Sequence, residues 1–267
     1  CHYCGHTEEV PAKCPSCRVT DVVPVGFGTE KIEEEIARIF PEARVARLDR
    51  DSVTSERAFN AIIDDFAARR TDILVGTQMI TKGFDFAGVS LVGILNADNL
   101  LNNPDFRAAE RAFQLMMQVS GRAGRRGDGG EVVIQTGDPT NPVIRQVATG
   151  DYEAMVRTQL AERQQFFYPP YARLTSLTLR HRDPETLRSG VMELAQRLRV
   201  RFGRRVLGPM TPPVDRIRGE YLVGLLLKIE SGASSARARE LLGTELKSFS
   251  ENPACRAITV VVDVDPQ

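Results

Sequence analysis

Gln118-Val119-Ser120-Gly121-Arg122-Ala123-Gly124-Arg125 closes an apolar helical pattern that begins near Phe106. Two arginines three residues apart, each preceded by glycine, sit where that helix ends. Glycine lets a backbone come close to a ligand, and guanidinium groups grip phosphate oxygens in two-pronged fashion. Upstream, Gly76-Thr77-Gln78-Met79-Ile80-Thr81-Lys82-Gly83-Phe84-Asp85 follows the apolar run Ile73-Leu74-Val75. That places a hydroxyl, a lysine, a glycine and an aspartate at the carboxyl edge of a strand, where parallel sheets bind ligands. A solvated basic turn is the bland reading of 118–125. It does not account for the glutamine, both Gly-Arg pairs and the strand-ending loop in one unit.

Elements alternate outward from these motifs. Ile32, Ile36, Ile39 and Phe40 recur at helical spacing between Gly28 and Pro41, and Phe59, Ile62, Ile63 and Phe66 make a second amphipathic helix. Val45 to Leu48, Ile73 to Val75, Leu91 to Leu95 and Glu131 to Gln135 are short apolar runs, the mark of buried parallel strands. This α/β alternation predicts a parallel sheet covered by helices. Asp138-Pro139 and Asn141-Pro142 break the pattern, and a polar helix over Tyr152 to Gln165 ends at Tyr168-Pro169-Pro170. The remainder reads strand, helix, strand, strand, helix, strand, a small βαββαβ-like α+β domain, with helices over Pro184–Phe202 and Ser234–Phe249. The expected domains are 1–22 (cysteine module), 23–150 (α/β unit), 151–170 (connector) and 171–267 (carboxy-terminal α+β domain).

The 267 residues carry 35 basic and 35 acidic side chains. Zero net charge argues against a protein held to nucleic acid by bulk charge. Residues 1–150 have 17 Lys and Arg against 21 Asp and Glu, and the rest have 18 against 14, so an acidic half meets a basic one. Arg197, Arg199, Arg201, Arg204 and Arg205 cluster within nine residues at the end of the Pro184–Phe202 helix. Leu194 and Leu198 are expected in the core, which leaves Arg201, Arg204 and Arg205 as candidate nucleic-acid contacts. A solvated helix end offsetting the helix dipole accounts for one or two of these arginines, not five. No run approaches the ~20 apolar residues of a membrane helix. The first residues are not a basic-then-apolar leader, and the chain lacks an initiator methionine. A cytoplasmic protein cut from a longer one is the expectation.

Four of five cysteines fall at Cys1, Cys4, Cys14 and Cys17. Two Cys-x-x-Cys pairs in tight turns can complete a tetrahedron around one structural Zn²⁺. Disulfides and redox thiols compete, but no secretion signal favours them. Cys255 stands alone and reads as a small buried apolar residue.

Residues 118–125 resemble motif VI of superfamily 2 helicases, and 76–85 resemble motif V upstream of it. More narrowly, the chain resembles the carboxy-terminal part of the primosomal replication-restart helicases. The carriers are Cys-Pro-Ser-Cys at 14–17, Val-Pro-Val-Gly-Phe-Gly-Thr-Glu at 23–30, Asp49-Arg50-Asp51, Asp-Phe-Arg-Ala-Ala-Glu-Arg at 105–111, Leu-Gly-Pro at 207–209 and Asp-Val-Asp-Pro at 263–266. The resemblance implies an ATP-driven 3′-to-5′ DNA helicase that loads replication machinery at stalled forks. It implies a second RecA-like lobe with a zinc-binding insertion, then a carboxy-terminal domain. By motif, Gln118, Arg122 and Arg125 would face ATP phosphates, with the arginines as fingers on the γ-phosphate. Gly83 and Asp85 would connect nucleotide to DNA, and Thr77 and Lys82 would touch the DNA backbone.

Implied partners are forked or single-stranded DNA, the acidic tail of single-stranded DNA-binding protein and primosome proteins, with no membrane. Implied cofactors are ATP, Mg²⁺ and two structural zinc ions per full-length protein, held by interleaved cysteine pairs. Cys1/Cys4 and Cys14/Cys17 would then belong to different ions. No Gly-x-x-x-x-Gly-Lys-[Ser/Thr] loop occurs in the chain, so its 267 residues alone are expected to lack ATPase activity. The alternatives are a phosphotransferase, which needs such a loop, and a non-enzymatic zinc-containing DNA-binding adaptor.

Overall fold

The computed structural model describes residues 11, 13, 17–20, 28–49, 52–53, 55–77, 86, 88–123 and 129–266. The chain divides into two compact units, one over Pro11–Gln159 and one whose described part is Leu160 onward.

The first unit contains helix α1 (Thr29–Ile39), strand β1 (Val45–Leu48), α2 (Glu56–Ala67), β2 (Ile73–Gly76), β3 (Leu91–Ile94), α3 (Asp98–Leu101), α4 (Ala108–Ser120), β4 (Glu131–Ile134), α5 (Pro142–Thr149) and most of α6 (Tyr152–Gln165). Ser55 starts α2 by accepting the Ala58 amide at 3.2 Å, an N-cap that satisfies one orphan donor. The apolar side of α2 brings Ile63 onto Leu48 and Phe86, with Phe66 edge-on to Phe86 at 4.8 Å between centroids. β1 and β2 pair in parallel from Val45↔Ile73 to Leu48↔Gly76. Their amino ends are tied by Arg44, whose backbone N–H and Nε both donate to Asp72 Oδ2, at 2.8 and 2.9 Å. These bonds hold the Asp72 carboxyl below the ordinary carboxylate range.

β3 and β4 form a second parallel pair, Leu91↔Glu131 to Ile94↔Ile134. Among the described residues the four strands thus make two two-stranded sheets, not one. The expected burial on both faces also needs correction. Leu91, Gly93 and Val133 are exposed, while Val92, Ile94, Val132 and Ile134 are half-buried. Ile94 and Ile134 pack on Ala112, Phe113 and Met116 of α4 and on Val143, Ile144 and Val147 of α5. The second correction concerns Asn141-Pro142, which starts a helix instead of breaking the pattern. Asn141 Oδ1 accepts the Val143 amide at 2.9 Å, and proline suits the first helical position because its missing N–H would have no partner there.

The second unit runs β5 (Ala172–His181), α7 (Pro184–Phe202), a 3₁₀ turn at Gly203–Arg205, β6 (Val206–Met210), β7 (Arg216–Ile217), β8 (Glu220–Glu230), α8 (Ser235–Glu251) and β9 (Thr259–Val264). The sheet is antiparallel with order β6-β8-β5-β9, and the short β7 pairs with β8. This is the βαββαβ succession expected from sequence, with β7 added. Leu177, Leu179, Leu225 and Leu227 pack against Leu187, Val191, Leu194 and Leu198 of α7 and Leu242 and Phe249 of α8. Asp183 caps α7 by accepting the Thr186 amide at 2.7 Å. Gly190 permits close packing, since a Cβ there would collide with Ile258 Cδ1.

Cys255 is buried, as expected, but it is more than an apolar filler. Its Sγ lies 3.1 Å from Glu193 Oε2, and Asn252 Nδ2 donates to Glu193 Oε1 at 2.9 Å. Burial first, then the neighbouring carboxylate, pushes the thiol up to about 11.

Leu198 is fully buried, whereas Val200 on the same helix is 80% exposed. Leu198→Ala should cost about 2–5 kcal/mol of stability, and Val200→Ala within about 0.5 kcal/mol. Equilibrium denaturant unfolding measures both, and equal effects would contradict the packing described.

Candidate nucleotide and nucleic-acid site

Helix α4 owes its direction to Asp105. Its Oδ1 accepts the Arg107 amide at 2.9 Å, and Oδ2 accepts from Arg111 Nη1 at 2.6 Å. The Asp-Phe-Arg-Ala-Ala-Glu-Arg run therefore fixes where the helix begins. Ala108, Ala112, Phe113 and Met116 are buried along one stripe. Gln114 and Gln118 follow Glu110 at four-residue intervals, which puts them on another face, and both are exposed. At the far end the Gly121 amide donates to Met117 O at 3.0 Å, Arg122 to Val119 O at 2.9 Å and Ala123 to Ser120 O at 3.2 Å. This tightened last turn sets Arg122, half-buried, just past Gln118.

The carboxyl ends of β3 and β4 are strapped together nearby in sequence. Asp98 accepts from Thr136 Oγ1 at 2.6 Å and from the Gly137 amide at 2.8 Å. The Thr136 bond and then the Gly137 bond hold its carboxyl below the usual range. The Asn96 amide donates to Gln135 Oε1 at 3.2 Å. Sequence reasoning missed Asp98. The available signal was an acidic residue at a helix start directly after a strand. At the end of β1, Asp49 is buried and accepts from Thr29 Oγ1 and, at 2.7 Å, from the Ser52 amide. Thr77 follows β2 and is exposed.

Comparison with known proteins places this helix end in a family. Residues 20–127 match the model of the helicase conserved C-terminal domain, and residues 164–267 match the primosomal protein N C-terminal domain. The chain is 37% identical over its whole length to the replication restart protein PriA of Bacillus subtilis, covering 33% of that protein. It is 42% identical to PriA of Treponema pallidum over 86% of its length and 36% identical to PriA of Haemophilus influenzae over all of it, covering 35% and 36% of those proteins. The chain belongs to the PriA family. It spans about a third of the length of these PriA relatives.

The helicase match of this PriA-family chain takes in Thr77, Gln118 and Arg122, all described. Lys82, Gly83, Asp85 and Arg125 lie outside the described residues, as do Cys1, Cys4 and Cys14. Cys17 is described and exposed. Among the described residues no cluster of three or more His, Cys, Asp or Glu is arranged to hold a metal, and no helix is long and apolar enough to cross a membrane.

The PriA C-terminal match takes in the arginine cluster, which the structure divides. Arg201 Nε reaches Glu245 Oε1 at 2.7 Å, and Arg205 Nε reaches Glu230 Oε2 at 2.7 Å. Arg197 pairs with Glu193 at 2.7 Å and also donates to Ser248 Oγ at 2.9 Å. Arg199 donates to the Gly208 carbonyl. Arg205 holds the Glu230 carboxyl low, with a smaller field from Arg204. Three of the five arginines are thus matched to carboxylates, and Arg204 is the one of the candidate trio without a salt bridge among the described residues.

Glu245 is nearly buried, so removing its partner strands an acceptor. Arg201→Ala should cost about 1–3 kcal/mol of stability, and Arg204→Ala much less. Thermal unfolding of the two variants separates them. Equal melting points would show that the Arg201–Glu245 pair adds nothing.

Proposed function

We propose that the chain supplies the second RecA-like lobe and the carboxy-terminal domain of an ATP-dependent 3′-to-5′ DNA helicase that restarts stalled replication forks and loads the primosome. The observation that carries the reading is the Gln118–Arg122 turn at the end of α4, inside the segment that matches the helicase model. That match also disfavours a non-enzymatic zinc-containing adaptor.

The donor set fits a phosphate clamp. An amide at Gln118 and a guanidinium at Arg122 end one helix, whose direction the Asp105 bonds fix. ATP, with Mg²⁺, supplies the phosphoanhydride whose cleavage drives unwinding. Arg122 and Arg125 stabilise the charge that builds on the transferred phosphate. Gln118 orients the same phosphates. Gly83 and Asp85 link that event to the strand-ending loop, from which Thr77 and Lys82 contact the DNA backbone. Cys1, Cys4, Cys14 and Cys17 are the proposed ligands of structural zinc, whose role is to fix the turns that carry them. Forked or single-stranded DNA, single-stranded DNA-binding protein and primosome proteins are the proposed partners, and the cytoplasm the proposed location.

In a full-length protein bearing this chain, Arg122→Ala or Arg125→Ala should lower DNA-stimulated ATP turnover by about 10²–10³-fold with ATP binding largely kept. Steady-state hydrolysis beside nucleotide titration measures this, and near-normal turnover in both variants removes the finger assignment. Zinc per chain, by metal analysis, should fall on Cys17→Ser. An unchanged zinc content would exclude Cys17 as a ligand.

A further inference from the structure

The same sorting by partners picks out another basic element of the second unit. Arg216 and Arg218 lie at the β7–β8 hairpin and are exposed. Neither has a carboxylate partner among the described residues. Arg216 Cζ sits 4.9 Å from the centre of the Tyr221 ring. Arg218 has φ +51° and Gly219 φ +83°, two successive left-handed residues between the paired Ile217 and Glu220. Such two-residue loops favour Asn-Gly, Asp-Gly or Gly-Gly, because a long side chain gains nothing from this backbone and is strained by it. An arginine held there at an exposed tip is an outlier that points to function.

The register shows which charges share the tip. Arg216 pairs with Tyr221, and Tyr221 with His181, so the three form one row across β7, β8 and β5, with Arg182 next in the chain. Glu220 pairs with Ile217, on the other face of the ribbon. Asp183 is engaged at the α7 cap, and Asp215 lines the groove beside α7. Arg216 therefore lies on the face of the ribbon opposite Glu220, and Arg218 stands at its tip. Residues 211–220 include no aromatic side chain, and Arg216 covers the Tyr221 ring. Single-stranded bases have nothing there to stack on, whereas phosphate contacts need only the guanidinium groups.

We propose that the β7–β8 hairpin contacts the phosphate backbone of duplex DNA through Arg216 and Arg218. The proposal rests on the DNA-binding reading above and assigns it a contact apart from the arginines at and after the end of α7, three of which are matched to carboxylates. Arg218→Asn is the informative variant, since asparagine suits the turn better while lacking the charge.

The experiment is a titration of the whole 267-residue chain with a short mixed-sequence DNA duplex from about 50 to 200 mM salt. The double change Arg216→Ala, Arg218→Ala should weaken binding for every sequence. It should also reduce the slope of log affinity against log salt by about two. Arg218→Asn should reduce the slope by about one and leave the melting temperature equal or higher. An unchanged slope in the double variant, with duplex binding intact, would overturn the hairpin contact while leaving the DNA reading. Loss of binding to a polyglutamate probe with duplex binding unaffected would assign the hairpin to an acidic peptide and overturn the proposal. No duplex binding by the unaltered chain would overturn both.

Discussion

Ten consecutive antiparallel pairings between β5 and β8, from Ala172↔Glu230 to His181↔Tyr221, govern the second unit. A slip of one residue would turn either Leu177 and Leu179 or Leu225 and Leu227 away from α7 and α8, because side chains alternate with period two. The same register fixes both ends of the strand pair. At one end Glu230 meets Arg205, and Lys228 donates to the Phe166 carbonyl at 2.8 Å while its Nζ lies 3.4 Å from the centre of the Tyr168 ring. Burial there lowers the lysine pKa. At the other end β8 turns into the β7 hairpin, where no carboxylate among the described residues pairs with Arg216 or Arg218. Core, ion pairs and basic tip are consequences of one alignment.

In the first unit the equivalent constraint is polar. Asp98, Asp49 and Asp105 each satisfy backbone donors at a strand end or helix start. None is a catalytic group in this account. Asp105 holds backbone at the start of α4, the helix whose far end carries Gln118 and Arg122. Positioning of this kind matters where a donor must meet charge that exists only during the reaction.

Local signals were legible in the sequence, and long-range pairing was not. α7 could be read from Asp183-Pro184 at its start, from buried Leu187, Val191, Leu194 and Leu198 at helical spacing, and from Gly203 after its end. Asn141-Pro142 misled because the same dipeptide breaks one helix and starts another, and only the Val143 amide on Asn141 Oδ1 decides between them. β3 read as buried on both faces because Leu91-Val92-Gly93-Ile94 shows no polar alternation, yet Leu91 and Gly93 are exposed. The arginine cluster looked like a free basic surface. Glu245 lies 44 residues from Arg201 and Glu230 lies 25 from Arg205, distances at which composition carries no pairing information. The motif at 118–125 was legible as chemistry, because its meaning is local: a helix end, glycine and guanidinium.

In the proposed function, Arg122 and its neighbours act on a nucleotide whose phosphate-binding loop is not among these 267 residues. DNA-stimulated ATP hydrolysis, measured on this chain alone and on a full-length PriA-family protein that contains it, tests this most directly. The chain alone should give background hydrolysis, and the full-length protein DNA-dependent turnover. DNA-dependent hydrolysis by the chain alone would contradict the proposed function.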